Sequence, residues 1–329
     1  MKTDAKEINN QGVVHFLNNN FAEAKNKYME VLNLDSGNTT TLNNLGLLYL
    51  HQKRYKKAEE LFRKALNESE NEIYALNLGH SLMQQKQFDD AEKFYLKSIE
   101  IKKTNLQAWE SLVSLYEYTN QLQKAIDVLQ TIILTINHQV SFKIKLSKIL
   151  IKTKKYKEAL DLLHSSLAQN GSEAEILYYI AFTHFKTQNF GLAKTAIQNS
   201  LVHSPYWELS LELAATIAMT LSDTETAIHY WDKILEINHM NHAVRINKSI
   251  LLISKKQQDQ AIRELDYVLS FNPENPKALY YKALLYLDEK NTFPEAEKIL
   301  TCLIQSENDY TNKALQILNN LKHKKDGVD

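Results

Sequence analysis

The 329-residue chain is 44% hydrophobic and 24% charged, which excludes a disordered polymer, and its 39 Lys+Arg balance 39 Asp+Glu, which leaves no overall basic field for nucleic acid or an anionic membrane. The single cysteine, Cys302, excludes an internal disulfide and a multi-cysteine metal site. Gly (7) and Pro (4) punctuate turns and break helices, so a chain this poor in both reads as helical nearly throughout.

Residues 1–10 contain no apolar run of the signal-peptide kind, and no later stretch approaches the ~18 apolar residues of a membrane span. Together with the lone cysteine, this sets the expectation of a cytoplasmic protein without membrane insertion. The first predicted helical hairpin, residues 5–38, carries Gly12 on its first helix and Phe21, Ala24 and Tyr28 on its second. Hairpin 2, residues 39–71, repeats the set as Gly46, Tyr55, Ala58 and Phe62, and hairpin 3, residues 72–105, as Gly79, Phe88, Ala91 and Tyr95. Hairpin 4 (106–139) has Val113, Leu122, Ala125 and Leu129, with Trp109 and Tyr116 on its first helix. Hairpin 5 (140–173) has Ser147, Tyr156, Ala159 and Leu163, and hairpin 6 (174–207) has Ala181, Phe190, Ala193 and Ile197 and ends near Pro205. In hairpins 7 (208–241) and 8 (242–275) the small residues are Ala215 and Ser249, the alanines Ala227 and Ala261, and Thr224 and Gln258 replace the expected aromatic. Looser packing is expected there. Hairpin 9 (276–308) has Ala283, Phe293, Ala296 and Leu300, and Thr292, Pro294 and Glu295 suggest a capping box at its second helix.

The nine alanines are separated by 34, 33, 34, 34, 34, 34, 34 and 35 residues. The residues three before and four after each alanine share one helical face with it, at i, i+3 and i+7, the buried stripe of a second helix. The small residue twelve before each alanine lets the two helices approach closely, with a large residue expected against the partner's alanine. Residues 309–322 follow with Tyr310, Ala314, Leu315, Ile317, Leu318 and Leu321 on one stripe, the pattern of a helix that caps the last hairpin. A flexible tail is expected over 323–329.

The runs Leu45-Gly46-Leu47-Leu48-Tyr49 with Tyr55 and Ala58, and Leu78-Gly79 with Phe88 and Ala91, resemble the tetratricopeptide repeat. The resemblance extends over residues 5–308 and implies an all-α, right-handed superhelical solenoid of about nine hairpins plus the capping helix. It implies first helices on a concave wall and a non-enzymatic scaffold or adaptor that binds a peptide or helix of another protein. Counting the small residue as position eight, positions two, five, six, nine and twelve of each first helix would then face the groove. Position six supplies Asn10, Asn44 and Asn77, whose amides can both donate to and accept from an extended peptide backbone. Tyr178, Tyr179, Phe182 and Phe185 in hairpin 6 offer aromatic anchors for a hydrophobic segment, and Lys145 and Lys148 in hairpin 5 offer charge for an acidic one. The paired Lys and Asn that hold acidic C-termini in co-chaperones of this family are missing, since positions five and nine are Asn9 and Val13, then Asn43 and Leu47.

No phosphate-binding Gly-rich loop is present, His239 and His242 lack acidic or cysteine company for a metal, and Cys302 in its apolar run reads as a buried inert thiol. No cofactor and no catalytic residue are expected. The alternatives to an adaptor are a self-associating scaffold, an RNA-binding helical repeat, which neutral charge disfavours, and the arm of a separate enzyme.

Overall fold

The computed structural model describes residues 4–136, 140–168, 173–287 and 292–326, with side chains described through residue 321. Among them the secondary structure is α-helical, in nineteen helices. They run α1 (Ala5–Leu17), α2 (Phe21–Leu34), α3 (Thr39–His51), α4 (Tyr55–Glu68), α5 (Glu72–Gln84), α6 (Phe88–Ile101), α7 (Leu106–Tyr118), α8 (Leu122–Thr135), α9 (Val140–Lys152) and α10 (Tyr156–Leu167). There follow α11 (Glu173–Lys186), α12 (Phe190–His203), α13 (Glu208–Thr220), α14 (Thr224–Ile237), α15 (His242–Ser254), α16 (Gln258–Phe271), α17 (Pro276–Leu287), α18 (Phe293–Gln305) and α19 (Thr311–Asp326). The chain divides into two compact units, 1–162 and 163–329.

In the first unit each helix packs on the next in sequence from α1 to α9, and α1 also touches α3, α3 touches α5 and α5 touches α7. In the second unit the sequential contacts run from α11 to α19, with α11 on α13 and α15 on α17. Even-numbered helices make no comparable contact with each other among the described residues. Within each unit the odd helices therefore form the tighter wall.

Eight hairpin turns share one backbone solution. Asn19, Lys53, Lys86, Asn120, Lys154, Gln188, Ser222 and Lys256 all adopt φ between 57° and 62°. At each the next amide reaches back to close the first helix, as Asn20 N–H to the His15 carbonyl at 2.8 Å and Arg54 N–H to that of Tyr49 at 2.8 Å. This is the Schellman closure, in which one left-handed residue lets the last carbonyls find donors. That residue is commonly glycine; in these eight turns it is asparagine, lysine, glutamine or serine.

Glycine is instead placed where helices cross. A Cβ built on Gly12 would lie 2.5 Å from the Tyr28 ring, on Gly46 2.5 Å from that of Phe62, and on Gly79 2.6 Å from that of Tyr95. The large partner of the small residue is thus the ring four positions after the alanine, a correction to the expectation that it would meet the alanine itself. Where the first-helix residue grows, the second-helix residue is aliphatic in most hairpins: Val113 with Leu129, Ala181 with Ile197, Ser249 with Leu265 and Ala283 with Leu300, all buried. Ala215 with Trp231 is the exception, and these two share one core cluster.

Hairpins 7 and 8 keep Ala227 and Ala261 fully buried, while Thr224 and Gln258 stand where other hairpins carry an aromatic. The aromatic position is half-buried even where it is Phe21 or Tyr55, and its loss removes little core. The departure in this region lies elsewhere. Position seven is a buried apolar residue in hairpins 2 to 7, among them Leu45, Leu112 and Ile180, but it is Lys248 in hairpin 8 and Lys282 in hairpin 9. Lys248 lies 2.6 Å from Asp232 of α14 and 2.8 Å from Glu264 of α16. Glu264 also accepts from Arg245, whose guanidinium lies 3.8 Å from the centre of the Tyr267 ring. Each cation is low in exposure and has an acid within reach, which keeps the cost of desolvating it in check.

Three further expectations change. Thr292 makes no side-chain cap to α18; its hydroxyl donates to the Tyr286 carbonyl at 2.9 Å, while Pro294 does occupy the first turn. Cys302 is exposed, because Leu300 and Leu303 take the inward face and Cys302 projects from another. The last helix caps hairpin 9 through Ala314 and Leu318 against Ala283, Leu300 and Leu303, and it runs on to Asp326 past the expected end at 322. Residues 327–329 of the expected tail lie outside the described residues. Among the described residues no helix is long and apolar enough to cross a membrane.

Candidate binding surface

The odd-helix wall of the first unit has a polar seam. Asn44 Nδ2 donates to Asn9 Oδ1 at 3.1 Å, Thr41 Oγ1 donates to the same oxygen at 3.0 Å, and Asn77 Nδ2 donates to Asn43 Oδ1 at 2.8 Å. The seam continues as His80 Nε2 with Ser111 Oγ at 2.9 Å. Each bond joins one hairpin to the next, α1 to α3, α3 to α5 and α5 to α7. The three asparagines read from position six therefore differ in standing: Asn10 is exposed, Asn44 half-buried and Asn77 buried. Position-five asparagines, Asn9 and Asn43, are what position six bonds to, and the doublets Asn9-Asn10 and Asn43-Asn44 were the sequence signal for it.

His80 has its pKa lowered by burial, so its neutral ring is the folded form. The unfolded chain binds the proton more readily, so stability rises with pH through the histidine range and is lost as pH falls below the ordinary value of about 6.5. His184 shifts the same way, by burial and then by the neighbouring charge of His164. We expect the denaturant midpoint of the protein to fall between pH 7.5 and pH 5.5, and His80→Gln, which keeps a polar partner for Ser111, to reduce that fall. An equal fall in midpoint between the two pH values for wild type and His80→Gln would remove His80 from the account.

Lys145 lies 3.4 Å from Glu117 of the preceding hairpin, an ion pair across α7 and α9, and Lys148 is exposed. Of the apolar residues at positions nine and twelve of the first unit, Val13, Phe16, Leu47, Leu50 and Met83 are half-buried and Ile151 is buried.

The aromatic set belongs to the second unit, and the structure splits it. Tyr178, Tyr179 and Phe182 of α11 are half-buried and touch: the Tyr178 ring centre is 5.0 Å from that of Tyr179 and 6.2 Å from that of Phe182, the latter nearly parallel at 12°. Phe185 stands apart and packs on Phe190 of its own hairpin at 5.7 Å. Trp207, the residue before α13, joins the group at 5.0 Å from Tyr178. Sequence reading missed it because it precedes its helix and follows no repeat position. Beside it a pocket of about 550 Å³ is lined by Ala174, Glu175, Ser204, Pro205, Tyr206 and Trp207. Tyr206 is 63% exposed at its rim. The second aromatic doublet, Tyr280 and Tyr281, is closed on one side by Tyr310, 4.9 Å from Tyr280.

Two stretches of the chain, residues 40–71 and 74–105, match the tetratricopeptide repeat. A curated relative is BBSome complex member BBS4 from Bos taurus, 20% identical over 271 residues that make up 72% of this chain and 52% of the relative. The chain thus spans about half the length of that relative. Solved structures of the same fold include the C-terminal part of a TPR repeat-containing protein from Cytophaga hutchinsonii, 15% identical, with a TM-score of 0.53 over 83% of this chain and 98% of that one. A tetratricopeptide repeat protein from Parabacteroides merdae matches at 14% identity and a TM-score of 0.53, over 75% of this chain and 98% of the other.

Proposed function

This chain belongs to the tetratricopeptide repeat proteins, and from that premise we propose that it is a non-enzymatic protein–protein interaction scaffold whose odd-helix wall takes a peptide or helical segment of a partner. The observation that carries the proposal is the contiguous, half-exposed group Tyr178, Tyr179, Phe182 and Trp207 on α11 and at the start of α13. Tyr and Trp combine large apolar area with few rotatable bonds, and residues of this kind dominate binding energy when a partner desolvates them. The asparagines of the first unit are better placed to join hairpins, while Asn10 and Asn44 keep enough exposure to meet a ligand as well. Lys145 and Lys148, on α9 of the first unit, offer charge for an acidic segment there.

The test is affinity capture with the wild type and a Tyr178→Ala/Phe182→Ala double variant, followed by titration of the captured partner. The variant should bind that partner at least roughly 30-fold more weakly, as two hot-spot truncations imply. Phe185→Ala is the control, because its ring packs within hairpin 6: it should lower thermal stability and leave affinity near the wild-type value. Full affinity in the double variant would remove α11 from the interface.

A further inference from the structure

We propose that the turn between α3 and α4 holds a short acidic segment of a partner protein, a run of aspartate or glutamate side chains. The inference stands apart from the aromatic group of α11, which belongs to the other unit. Lys53, Arg54, Lys56 and Lys57 put four cations into five consecutive residues. All four are exposed, and with Tyr55 and Gln85 they line a surface pocket of about 440 Å³. Two of the charges share one anchor: Arg54 Cζ lies 5.2 Å and Lys57 Nζ 5.8 Å from the centre of the buried Tyr49 ring. An aromatic face attracts cations at this range, so the ring gathers positive charge at the turn.

Among the described residues none of the four enters an ion pair. Glu59, on the first turns of α4, is taken by Arg63 Nη2 at 2.9 Å and by Gln85 Nε2 at 2.8 Å, and Glu60, one helical turn after Lys56, makes no ion pair with it. Hairpin 4 shows what is missing. There Lys124, the residue before Ala125, lies 3.2 Å from Glu92, the residue after Ala91 of the preceding hairpin. Lys57 holds the same place in hairpin 2, but the residue after Ala24 of hairpin 1 is Lys25. A cation stands where the acid would be. Like charges this close repel, and incoming carboxylates relieve that cost, whereas an aliphatic or basic segment leaves it in place. On the side of hairpin 3 the patch is bounded by Asp89 and Asp90 in the first turn of α6. Those acids oppose a long polyanion or an anionic membrane lying across several hairpins; a short acidic segment avoids them. Five residues of chain span at most about 15 Å and an extended segment advances about 3.3 Å per residue, so about four or five acidic residues cover the turn.

The probe is hexaglutamate amide carrying an uncharged dye, titrated with the full chain and read by fluorescence anisotropy. It should bind saturably, and its affinity should fall as salt is raised from about 50 to about 300 mM, because exposed charges are screened. The variant Lys53→Asn/Arg54→Gln/Lys56→Gln/Lys57→Gln takes each replacement from another turn of the same chain, where Asn120, Gln121, Gln123 and Gln260 hold those places, so it keeps the fold. It should bind at least roughly 10-fold more weakly, the scale of four exposed ion pairs lost together. Lys6→Gln/Lys64→Gln/Lys93→Gln/Lys103→Gln removes the same charge from exposed sites of the same unit and should bind as the wild type does. No saturable binding, or equal weakening by both quadruple variants, overturns the proposal. Oligothymidylate and phosphatidylserine vesicles serve as competing polyanions and should bind more weakly than the peptide. Tighter binding of either one, lost in the first variant, makes the turn a nucleic-acid or membrane contact and overturns the acidic-peptide assignment.

Discussion

Gly46→Ala will destabilise the protein, although alanine is the better helix former. In an exposed helix the exchange would add up to about 1 kcal/mol of stability. Here the new methyl would lie 2.5, 2.9 and 2.9 Å from three atoms of the Phe62 ring, and that ring is fully buried. Overpacking of this kind costs typically 1–3 kcal/mol, so steric strain outweighs propensity and the net change is a loss of roughly that size. The second arm is Gly46→Ala/Phe62→Leu, which recreates the pairing already present as Ala283 with Leu300. Denaturant titration of the two singles and the double should show the double more stable than the sum of the singles predicts, by at least about 1 kcal/mol. Additive losses would mean that the two residues are not sized to each other.

The second prediction runs in the opposite direction. Lys53, Lys86, Lys154 and Lys256 sit at φ of 59° to 62°, a region that costs an L-residue about 1–2 kcal/mol and glycine almost nothing. Glycine gives part of this back through the extra freedom of its unfolded chain, leaving about 0.5–1 kcal/mol of gain per site. The four occupy separate turns with no shared partner, so Lys→Gly at all four should add about 2–4 kcal/mol in total. The measurement is the denaturant midpoint of the quadruple variant. Asn19→Gly and Asn120→Gly serve as internal references, since asparagine tolerates this conformation better, and their gain should be smaller. A quadruple variant no more stable than the wild type would show that lysine is not strained in these turns.

Much of the fold was legible because one alanine per hairpin cannot change without opening the helix pair, and that constraint leaves an even ruler in the sequence. The left-handed turns kept a ruler of equal regularity, five residues before each of the first eight alanines, yet it stayed hidden because lysine, asparagine, glutamine and serine fill it where glycine would have announced it. The joint around Lys248 was illegible for a related reason: a lysine between Asn247 and Ser249 looks solvated until its acids, Asp232 and Glu264, are brought in from two other helices. Cys302 was misplaced by reading an apolar run as uniformly buried, when period 3.6 puts Leu300 and Leu303 inward and the thiol elsewhere. At the candidate surface the sequence located Tyr178, Tyr179 and Phe182, but Trp207 comes from a turn and could be joined to them only in three dimensions. Phe185 shares their helix and their spacing; its ring is held by Phe190, which no pattern on α11 could reveal.

The fitting of Gly12, Gly46 and Gly79 to their rings also governs how such an array can be rearranged over time. A recombination that cuts between the two helices of a hairpin would set the valine of hairpin 4 against a buried phenylalanine or tyrosine, or a glycine against a leucine, leaving a collision in one product and a void in the other. A cut in the loops between hairpins keeps every pair intact. The inheritable module is thus the whole hairpin, and duplication, loss or shuffling of repeats should be tolerated with breakpoints near residues 35–38, 69–71 or 102–105 and punished with breakpoints near 18–20, 52–54 or 85–87.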